Sequence, residues 1–268
     1  MSFEICRHGT LEYLRAEGLS GTVHCFTTRY GGVSTGVLSS LNLGIHRGDA
    51  PANVLENYRI LGTQVGFCPE DLVFTHQTHT DVIRRVDASA RGEGLFRPVP
   101  GDYDGLITNE PGVALIVFSA DCTPILLFDP VRRAIGAVHA GWRGTAAGIV
   151  RNAVAQMCTA YDCRPEDIRA AIGPCIGQCC FETHADVPKA MYAALGAEAE
   201  AAIRPKGEKH YVNLKEINRL WLLRCGVTRV EISPDCTHCQ PERFWSHRIT
   251  GDARGSQAAI IMLPKGKE

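Results

Sequence analysis

The stretch Val113–Thr145, VALIVFSADCTPILLFDPVRRAIGAVHAGWRGT, decides the fold. It contains three short apolar runs without polar alternation: Val113–Ser119, Ile125–Phe128 and Ala134–His139. Runs of this length and composition predict strands that are buried on both faces. The turn signal Asp129-Pro130 separates the second run from the third. We therefore expect a sheet that is covered on both sides.

Two segments of the chain have the residue pattern of helices. The segment Thr145–Tyr161 has the apolar spacing of a helix, with its first residue as the expected N-cap. Asn213 and Glu216 form a capping-box pattern at the start of another helix. Ala88–Asp104 is rich in Gly, Pro and Arg, and predicts a long surface loop of the kind that is often functional. Together these patterns predict an α+β (mixed α/β) fold, and we expect a single domain over residues 1–268.

Length, charge and cysteine usage narrow the classes of function. The chain has 268 residues, with 28 Lys and Arg against 29 Asp and Glu. Such a balanced charge favours neither nucleic acid nor an anionic membrane as a partner, and no apolar run is long enough to span a bilayer. The N-terminal residues lack the features of a secretory signal. We therefore expect a cytoplasmic protein whose 12 cysteines are thiols or metal ligands.

Reactive side chains concentrate in three segments where a hydrophobic core would not need them. His76 and His79 follow an apolar run. Cys122 lies between two predicted strands, and His139 ends a third. A cysteine and two histidines form a zinc site that keeps one position open for chemistry, and the separations of 43 and 17 residues between His79, Cys122 and His139 require the fold to assemble it. The alternative is that Cys122 is a small buried apolar residue and His139 a structural histidine.

Five further cysteines give weaker patterns. Cys236 and Cys239 form a CxxC pair, but the partner pair of a zinc ribbon is absent, so we interpret both as reduced structural thiols. The segment GPCIGQCCFE contains three further cysteines, and we interpret it as a turn next to the site: Cys175, Cys179 and Cys180.

The segment TTRYGGVS joins an arginine to two glycines. Arg29 together with the amides of Gly31 and Gly32 suits a phosphate group, because a guanidinium and closely approaching amides both bind anions. The alternative interpretation of this segment is an ordinary tight turn.

Seven motifs together make a family resemblance specific. They are TTRYGGVS…SLNLG, QTHTDV, DGLIT, ADCTPILL, AVHAGWRGT, GPCIG..CFE and SPDCT…FWSHR, in this order from about residue 22 to 263. The chain resembles the YfiH-type family, long labelled multicopper polyphenol oxidoreductases (laccase-like) and now understood as purine nucleoside phosphorylases with adenosine deaminase activity. The resemblance implies an α/β/β/α sandwich with mixed sheets.

The resemblance also implies which residues bind a metal. It assigns His79, Cys122 and His139 as ligands of Zn²⁺, with Cu²⁺ as the alternative ion. The family pattern places the first histidine ligand two residues after Gln77, which selects His79 over His76. If the segment from Gln77 to residue 82 is extended, alternation of side chains puts His76 on the face opposite His79. We therefore expect His76 to lie behind the ligands.

Substrates follow from the same resemblance. It implies purine nucleosides (adenosine, inosine, guanosine and methylthioadenosine) and phosphate as partners, with ribose 1-phosphate as a product. Arg29, Gly31, Gly32 and Asn42 are the expected substrate and phosphate ligands, and Arg143 is expected to supply a second guanidinium. Deamination of adenosine is expected to use the same metal.

Two other functions stay open at this point. A thiol hydrolase would use Cys122 as the nucleophile and His139 as the base. A copper laccase would need most of the ten histidines of the chain as clustered ligands, and these are scattered from His8 to His247.

Overall fold

The computed structural model describes residues 3–266, which form two six-stranded sheets, a three-stranded sheet and six α-helices. The strands are β1 (Phe3–His8), β2 (Leu11–Ala16), β3 (Val23–Thr27), β4 (Leu72–Phe74), β5 (Ile83–Arg85), β6 (Gly105–Thr108), β7 (Ala114–Ser119), β8 (Thr123–Asp129), β9 (Ala134–Ala140), β10 (Arg169–Ile172), β11 (Glu182–Thr183), β12 (Ile203–Lys206), β13 (Lys209–Val212), β14 (Arg229–Ile232) and β15 (Gln257–Met262). The α-helices are α1 (Pro51–Val65), α2 (Trp142–Ala147), α3 (Ile149–Tyr161), α4 (Asp186–Leu195), α5 (Leu214–Arg224) and α6 (His247–Thr250). Short 3-10 helices lie at Glu17–Leu19, Gly36–Leu38, Pro69–Asp71, Ala88–Ala90 and Gly196–Ala202.

Both large sheets are mixed. The first has the order β1-β2-β3-β15-β7-β4, in which only the edge pair β4/β7 is parallel. The second has the order β14-β10-β8-β9-β6-β5, with a parallel pair at each edge. The small sheet, β11-β13-β12, is antiparallel. The chain passes from the first sheet to the second between β7 and β8.

The two large sheets pack face to face and share one apolar layer. The first sheet contributes residues such as Phe26 and Val117, and the second contributes Leu126 and Ile135. Helix α1 covers the outer face of the first sheet, and α3 and α5 cover the outer face of the second. This arrangement confirms the α/β/β/α sandwich with mixed sheets. Strands β8 and β9 are buried at every position because both of their faces are covered.

The prediction of one continuous helix over Thr145–Tyr161 is wrong. Two helices occupy the region, because Gly148 adopts a left-handed conformation (φ 77°) between α2 and α3. A Cβ at Gly148 would lie 3.3 Å from the ring of Trp221. Thr145 is not an N-cap but a buried residue inside α2, where its Oγ1 accepts a hydrogen bond from the side chain of Asn218 at 3.0 Å.

Other predicted elements agree closely with the structure. Strands β7, β8 and β9 occupy the three apolar runs, and the side chain of Asn213 caps α5 by accepting a hydrogen bond from the amide of Glu216 at 3.2 Å. The predicted loop Ala88–Asp104 contains a short 3-10 helix at its start and an isolated β-bridge between Glu93 and Arg97. No helix between residues 3 and 266 is both long enough and apolar enough to cross a membrane.

Candidate active site

The site lies at the end of the sandwich where the chain crosses from β7 to β8. Cys122 occupies the short link between β7 and β8, where Asp121 has a left-handed backbone (φ 87°). The Ser119 hydroxyl donates a hydrogen bond to the Cys122 carbonyl at 2.5 Å. His139 is near the end of β9, paired with Pro124 of β8. The cysteine and the histidine therefore come from neighbouring strands, as the sequence predicts.

His79 belongs to an irregular segment between β4 and β5. Its backbone is left-handed (φ 64°), so the segment is not extended and the predicted alternation of side chains does not apply. The Gln77 amide fixes the start of this segment, because it donates to the Phe118 carbonyl at 2.8 Å and accepts from the Phe118 amide at 2.7 Å. This double hydrogen bond attaches the segment to the end of β7.

Three of the predicted site residues come together. The Nε2 atom of His79 lies 3.7 Å from the Sγ atom of Cys122, and the candidate ligand atoms of His79, Cys122 and His139 all lie within 4.8 Å of one another. Gly141 makes this approach possible, since a Cβ at that position would be 2.5 Å from Cδ2 of His79. One thiolate and two imidazoles at this spacing can hold a single metal ion.

Asp104 organises this group, and our sequence reasoning missed it. Its buried carboxylate faces the Nδ1 atom of His139 at 2.7 Å and accepts the amide hydrogens of residues 78–80, together with the hydroxyl of Thr80. Burial opposes ionisation of Asp104, but the bonds from His139 and Thr80 hold its pKa below the ordinary value. Because Nδ1 of His139 is engaged, Nε2 is the nitrogen left to face Cys122. The DGLIT motif contains this aspartate, which directly precedes β6.

The electrostatics of the group favour a thiolate. Burial alone would raise the pKa of Cys122, but His139 and His79 outweigh it and lower the pKa to about 6. Burial would lower the pKa of His139, but the charges of Cys122 and Asp104 raise it to about 9. These contacts favour the thiolate of Cys122, which is the form that acts as a metal ligand or nucleophile.

A cavity of about 960 Å³ opens beside the three residues and is lined by them. Residues 94–102 of the predicted surface loop form one wall, and Arg47 and Arg254 lie in another. Arg254 is buried, and burial together with the charge of Arg47 lowers its pKa to about 10. Its guanidinium donates to the Gly255 carbonyl and the ring of His247, neither of which is an anionic partner. Two guanidinium groups that repel each other at a cavity wall form a suitable place for an anion.

His76 lines the same cavity outside the ligand group. Its Nδ1 atom lies 2.7 Å from a carboxylate oxygen of Asp102, and both side chains are exposed. His76 therefore faces the space in front of the candidate ligands, whereas the sequence analysis expected it to lie behind them.

The predicted phosphate ligands lie elsewhere. The guanidinium of Arg29 donates two hydrogen bonds to the Ser39 carbonyl and one to the Pro241 carbonyl. The amides of Gly31 and Gly32 both donate to a neighbouring serine hydroxyl. The cavity wall includes none of Arg29, Gly31 and Gly32.

Asn42 and Arg143 are also outside the cavity wall. Asn42 is fully buried and contacts Asp49 and the backbone of Gly44 and Ser256, which is the environment of a structural amide. Arg143 is exposed, with its guanidinium 4.3 Å from the ring of Trp142.

Comparison with known proteins gives the family. A family model described as "Multi-copper polyphenol oxidoreductase laccase" matches residues 23–264. The chain is 39% identical over 252 residues to a protein named purine nucleoside phosphorylase YlmD from Geobacillus stearothermophilus, covering 92% of each chain. It is 34% identical over 247 residues to purine nucleoside phosphorylase YfiH from Escherichia coli K12, covering 91% of this chain and 94% of that one.

Solved structures agree with these sequence relationships. The crystal structure of YlmD from Geobacillus stearothermophilus superposes with a TM-score of 0.91 at 37% identity, covering 97% of this chain and 99% of that chain. The crystal structure of a hypothetical protein YfiH from Bacillus licheniformis gives a TM-score of 0.91 at 34% identity, covering 97% and 98%. The chain therefore belongs to the YfiH-type family of laccase-like polyphenol oxidoreductases.

Proposed function

We propose that this protein is a zinc-dependent purine nucleoside phosphorylase that also deaminates adenosine. Its proposed substrates are adenosine, inosine, guanosine and methylthioadenosine, each with phosphate. The observation that carries the proposal is the Cys/His/His group opening into a cavity that has two guanidinium groups in its wall. The names of the YlmD and YfiH relatives support phosphorolysis.

The donor set fits zinc. His79, Cys122 and His139 offer two imidazoles and a thiolate, and their common side faces the cavity, which leaves a fourth position for a substrate or water. When bound there, zinc supplies Lewis-acid and acid–base chemistry at that open position. Among residues 3–266, these are the only histidines gathered into a group of possible ligands, whereas a multicopper centre needs several such groups. The donor set therefore favours a single ion over a laccase centre.

Arg254 and Arg47 are the proposed phosphate ligands. Phosphate is a polyanion that guanidinium groups bind through paired, charge-assisted hydrogen bonds. Arg254 lies at the cavity wall beside Ser256, whose hydroxyl also accepts a bond from Arg47 at 3.3 Å. Bound here, a phosphate oxygen attacks C1′ of the ribose while the bond from C1′ to the purine breaks, which yields ribose 1-phosphate and the free base.

His76 is the proposed proton donor to the departing purine. Asp102 holds its Nδ1 atom, so Nε2 is the nitrogen available to a substrate in the cavity. Phe96 lines the same wall and is about half exposed, so its ring is available to stack on a purine. With a nucleoside in place, the wall formed by residues 94–102 would also exclude water that competes with phosphate.

The test is product identification. Purified zinc-loaded protein should convert adenosine to adenine and ribose 1-phosphate when phosphate is present, and to inosine by deamination whether or not phosphate is added. Chromatography of the products, with metal analysis of the same sample, measures both. Zinc-loaded protein that leaves adenosine, inosine and guanosine unchanged in phosphate buffer would contradict the proposal.

Replacement of Arg254 by Ala should weaken phosphorolysis far more than deamination, because only phosphorolysis uses inorganic phosphate. Loss of a bidentate, charge-assisted contact corresponds to a decrease of roughly 30- to 150-fold in kcat/KM for phosphate. Steady-state kinetics at varied phosphate concentration measures it.

Arg29→Ala is the comparison for this variant, because the sequence predicts phosphate binding at Arg29. With its guanidinium bound to backbone carbonyls, we expect Arg29→Ala to lower stability and leave the KM for phosphate close to the wild-type value. A loss of phosphate dependence in Arg29→Ala but not in Arg254→Ala would restore the sequence-based assignment.

One observation favours a second candidate function. Asp104, His139 and Cys122 form the chain of contacts found in thiol hydrolases, with a pKa of about 6 at the cysteine. The two functions use the thiolate differently, since a thiolate bound to zinc is not a free nucleophile. Covalent capture of Cys122 by an electrophilic acyl analogue in protein that carries a full complement of zinc would favour the hydrolase.

A further inference from the structure

Four cysteines that lie far apart in the sequence meet beside the active site. Strands β10 and β14 are parallel neighbours, paired from Arg169 with Arg229 to Ile172 with Ile232. Their carboxyl ends therefore lie at the same edge of the second sheet, and a turn follows each of them. The first turn carries Cys179 and Cys180, and the second carries Cys236 and Cys239. The CxxC pair thus has the partner pair that our sequence interpretation considered absent.

The four sulfur atoms have the spacing of ligands around one ion. They all lie within 4.8 Å of one another, with Cys179 to Cys239 at 3.6 Å and Cys180 to Cys239 at 3.3 Å. Four thiolates bound to one zinc ion at about 2.3 Å in a tetrahedron are about 3.8 Å apart. A disulfide needs about 2.05 Å between its sulfurs, and all four cysteines are free. The observed spacing therefore matches a shared metal ion better than it matches a cross-link.

The backbone around the cluster supports negative sulfur atoms. The amide of Gly177 donates to Sγ of Cys236 at 3.1 Å. A Cβ at Gly177 would lie 3.1 Å from Sγ of Cys179 and 3.3 Å from Sγ of Cys236, so this position has little space for a side chain. Amide-to-sulfur hydrogen bonds of this kind stabilise bound thiolates.

We infer that Cys179, Cys180, Cys236 and Cys239 bind a second zinc ion with a structural role. Four thiolate ligands close the coordination sphere, which distinguishes this site from the open Cys/His/His group. The inference does not depend on the proposed catalytic function, because it uses none of the catalytic residues. Without an ion, the cluster would leave Cys179 and Cys239 as exposed thiols next to two others.

The position of the cluster indicates what the ion would stabilise. Thr237, inside the CxxC turn, donates its hydroxyl to the Asp121 carboxylate at 2.6 Å and its amide to the Cys175 carbonyl at 3.1 Å. The Ile176 amide donates to the Asp121 carbonyl at 3.0 Å. Both cysteine turns therefore contact the residue that precedes Cys122. A zinc ion joining the turns would hold the link that carries Cys122 in place.

Metal counting on the full chain tests the inference. Protein purified anaerobically with a reductant should contain two zinc ions per chain by mass spectrometry of the metal. Cys236→Ser and Cys239→Ser should each contain one, and so should Cys122→Ser, in which the remaining ion is the tetrathiolate one. Cys68→Ser, which removes an exposed thiol outside both groups, should keep two.

Thiol protection gives a second readout that needs no cluster variant to fold. In Cys122→Ser protein, alkylation mapped by peptide mass should spare Cys179 and Cys239 until a chelator is added, whereas Cys68 should react before and after. A Cys122→Ser protein that contains no zinc would overturn the inference. So would alkylation of the four cysteines at the rate of Cys68 before chelation, or a native disulfide among them.

Discussion

Replacement of His79 by Ala should remove the zinc ion of the Cys/His/His group and lower kcat/KM for adenosine phosphorolysis at least about 1000-fold. Two ligands hold zinc much less tightly than three, and the chemistry of the open position is lost with the ion. Metal analysis and steady-state kinetics on the same preparation measure both effects. If the tetrathiolate site is filled, one zinc ion per chain remains in this variant.

His76→Ala is the matched control, since it removes the same side chain three residues earlier. His76 lines the cavity but is outside the ligand group, so its variant should keep the metal. Because His76 is the proposed proton donor, its loss should lower kcat/KM about 10- to 100-fold and change the pH profile. An empty Cys/His/His site in His76→Ala and a full one in His79→Ala would reverse the ligand assignment.

Replacement of Asp104 by Ala should destabilise the metal-free protein by about 3–5 kcal/mol. The variant leaves the amides of residues 78–80 and the ring of His139 without their buried acceptor. Because the carboxylate also orients His139, zinc affinity should fall roughly 10- to 100-fold. Urea unfolding of the metal-free protein and competitive zinc titration measure the two effects.

Asp102→Ala provides the comparison for Asp104→Ala. Asp102 lies two residues earlier in the same loop, but its side chain is exposed and pairs with the exposed His76. Removal of such a surface contact costs at most about 1 kcal/mol. Equal losses of stability in the two variants would show that the hydrogen bonds of Asp104 contribute nothing beyond those of an ordinary loop aspartate.

The grouping of His79, Cys122 and His139 was predictable because reactive side chains are unusual beside buried apolar strands. A cysteine between two apolar strands and a histidine near the end of the next strand stand out even without a structure, and the family resemblance then selected His79. Asp104 was not predictable in this way. Its importance arises from hydrogen bonds to residues 78–80 and to His139, which depend on the pairing of β6 with β9 and on the path of an irregular segment. Neither of these is encoded in a local pattern.

The residues proposed to bind phosphate illustrate the same limit. Arg29 stood out because two glycines follow it, yet its guanidinium is used to join backbone segments. Arg254 has no distinctive neighbours in the sequence, and only the fold brings it to the cavity wall with Arg47. The cysteine cluster is similar, because the pairing of β10 with β14 joins turns that are more than fifty residues apart. Local sequence patterns identify reactive residues but not the partners that tertiary contacts provide.

The chain crosses from the first sheet to the second between β7 and β8, and the proposed metal ion at this crossing would make its binding part of the energetics of folding. Cys122 lies on the crossing itself, His139 belongs to the second sheet, and the segment of His79 is attached to the first through Gln77. An ion that needs all three ligands binds only when the two sheets are correctly apposed. Its binding energy then adds to the free energy of unfolding by mass action, about 2.7 kcal/mol when free zinc exceeds the Kd 100-fold. Scarcity of the proposed zinc ion would therefore lower the folded fraction of the chain as well as its turnover.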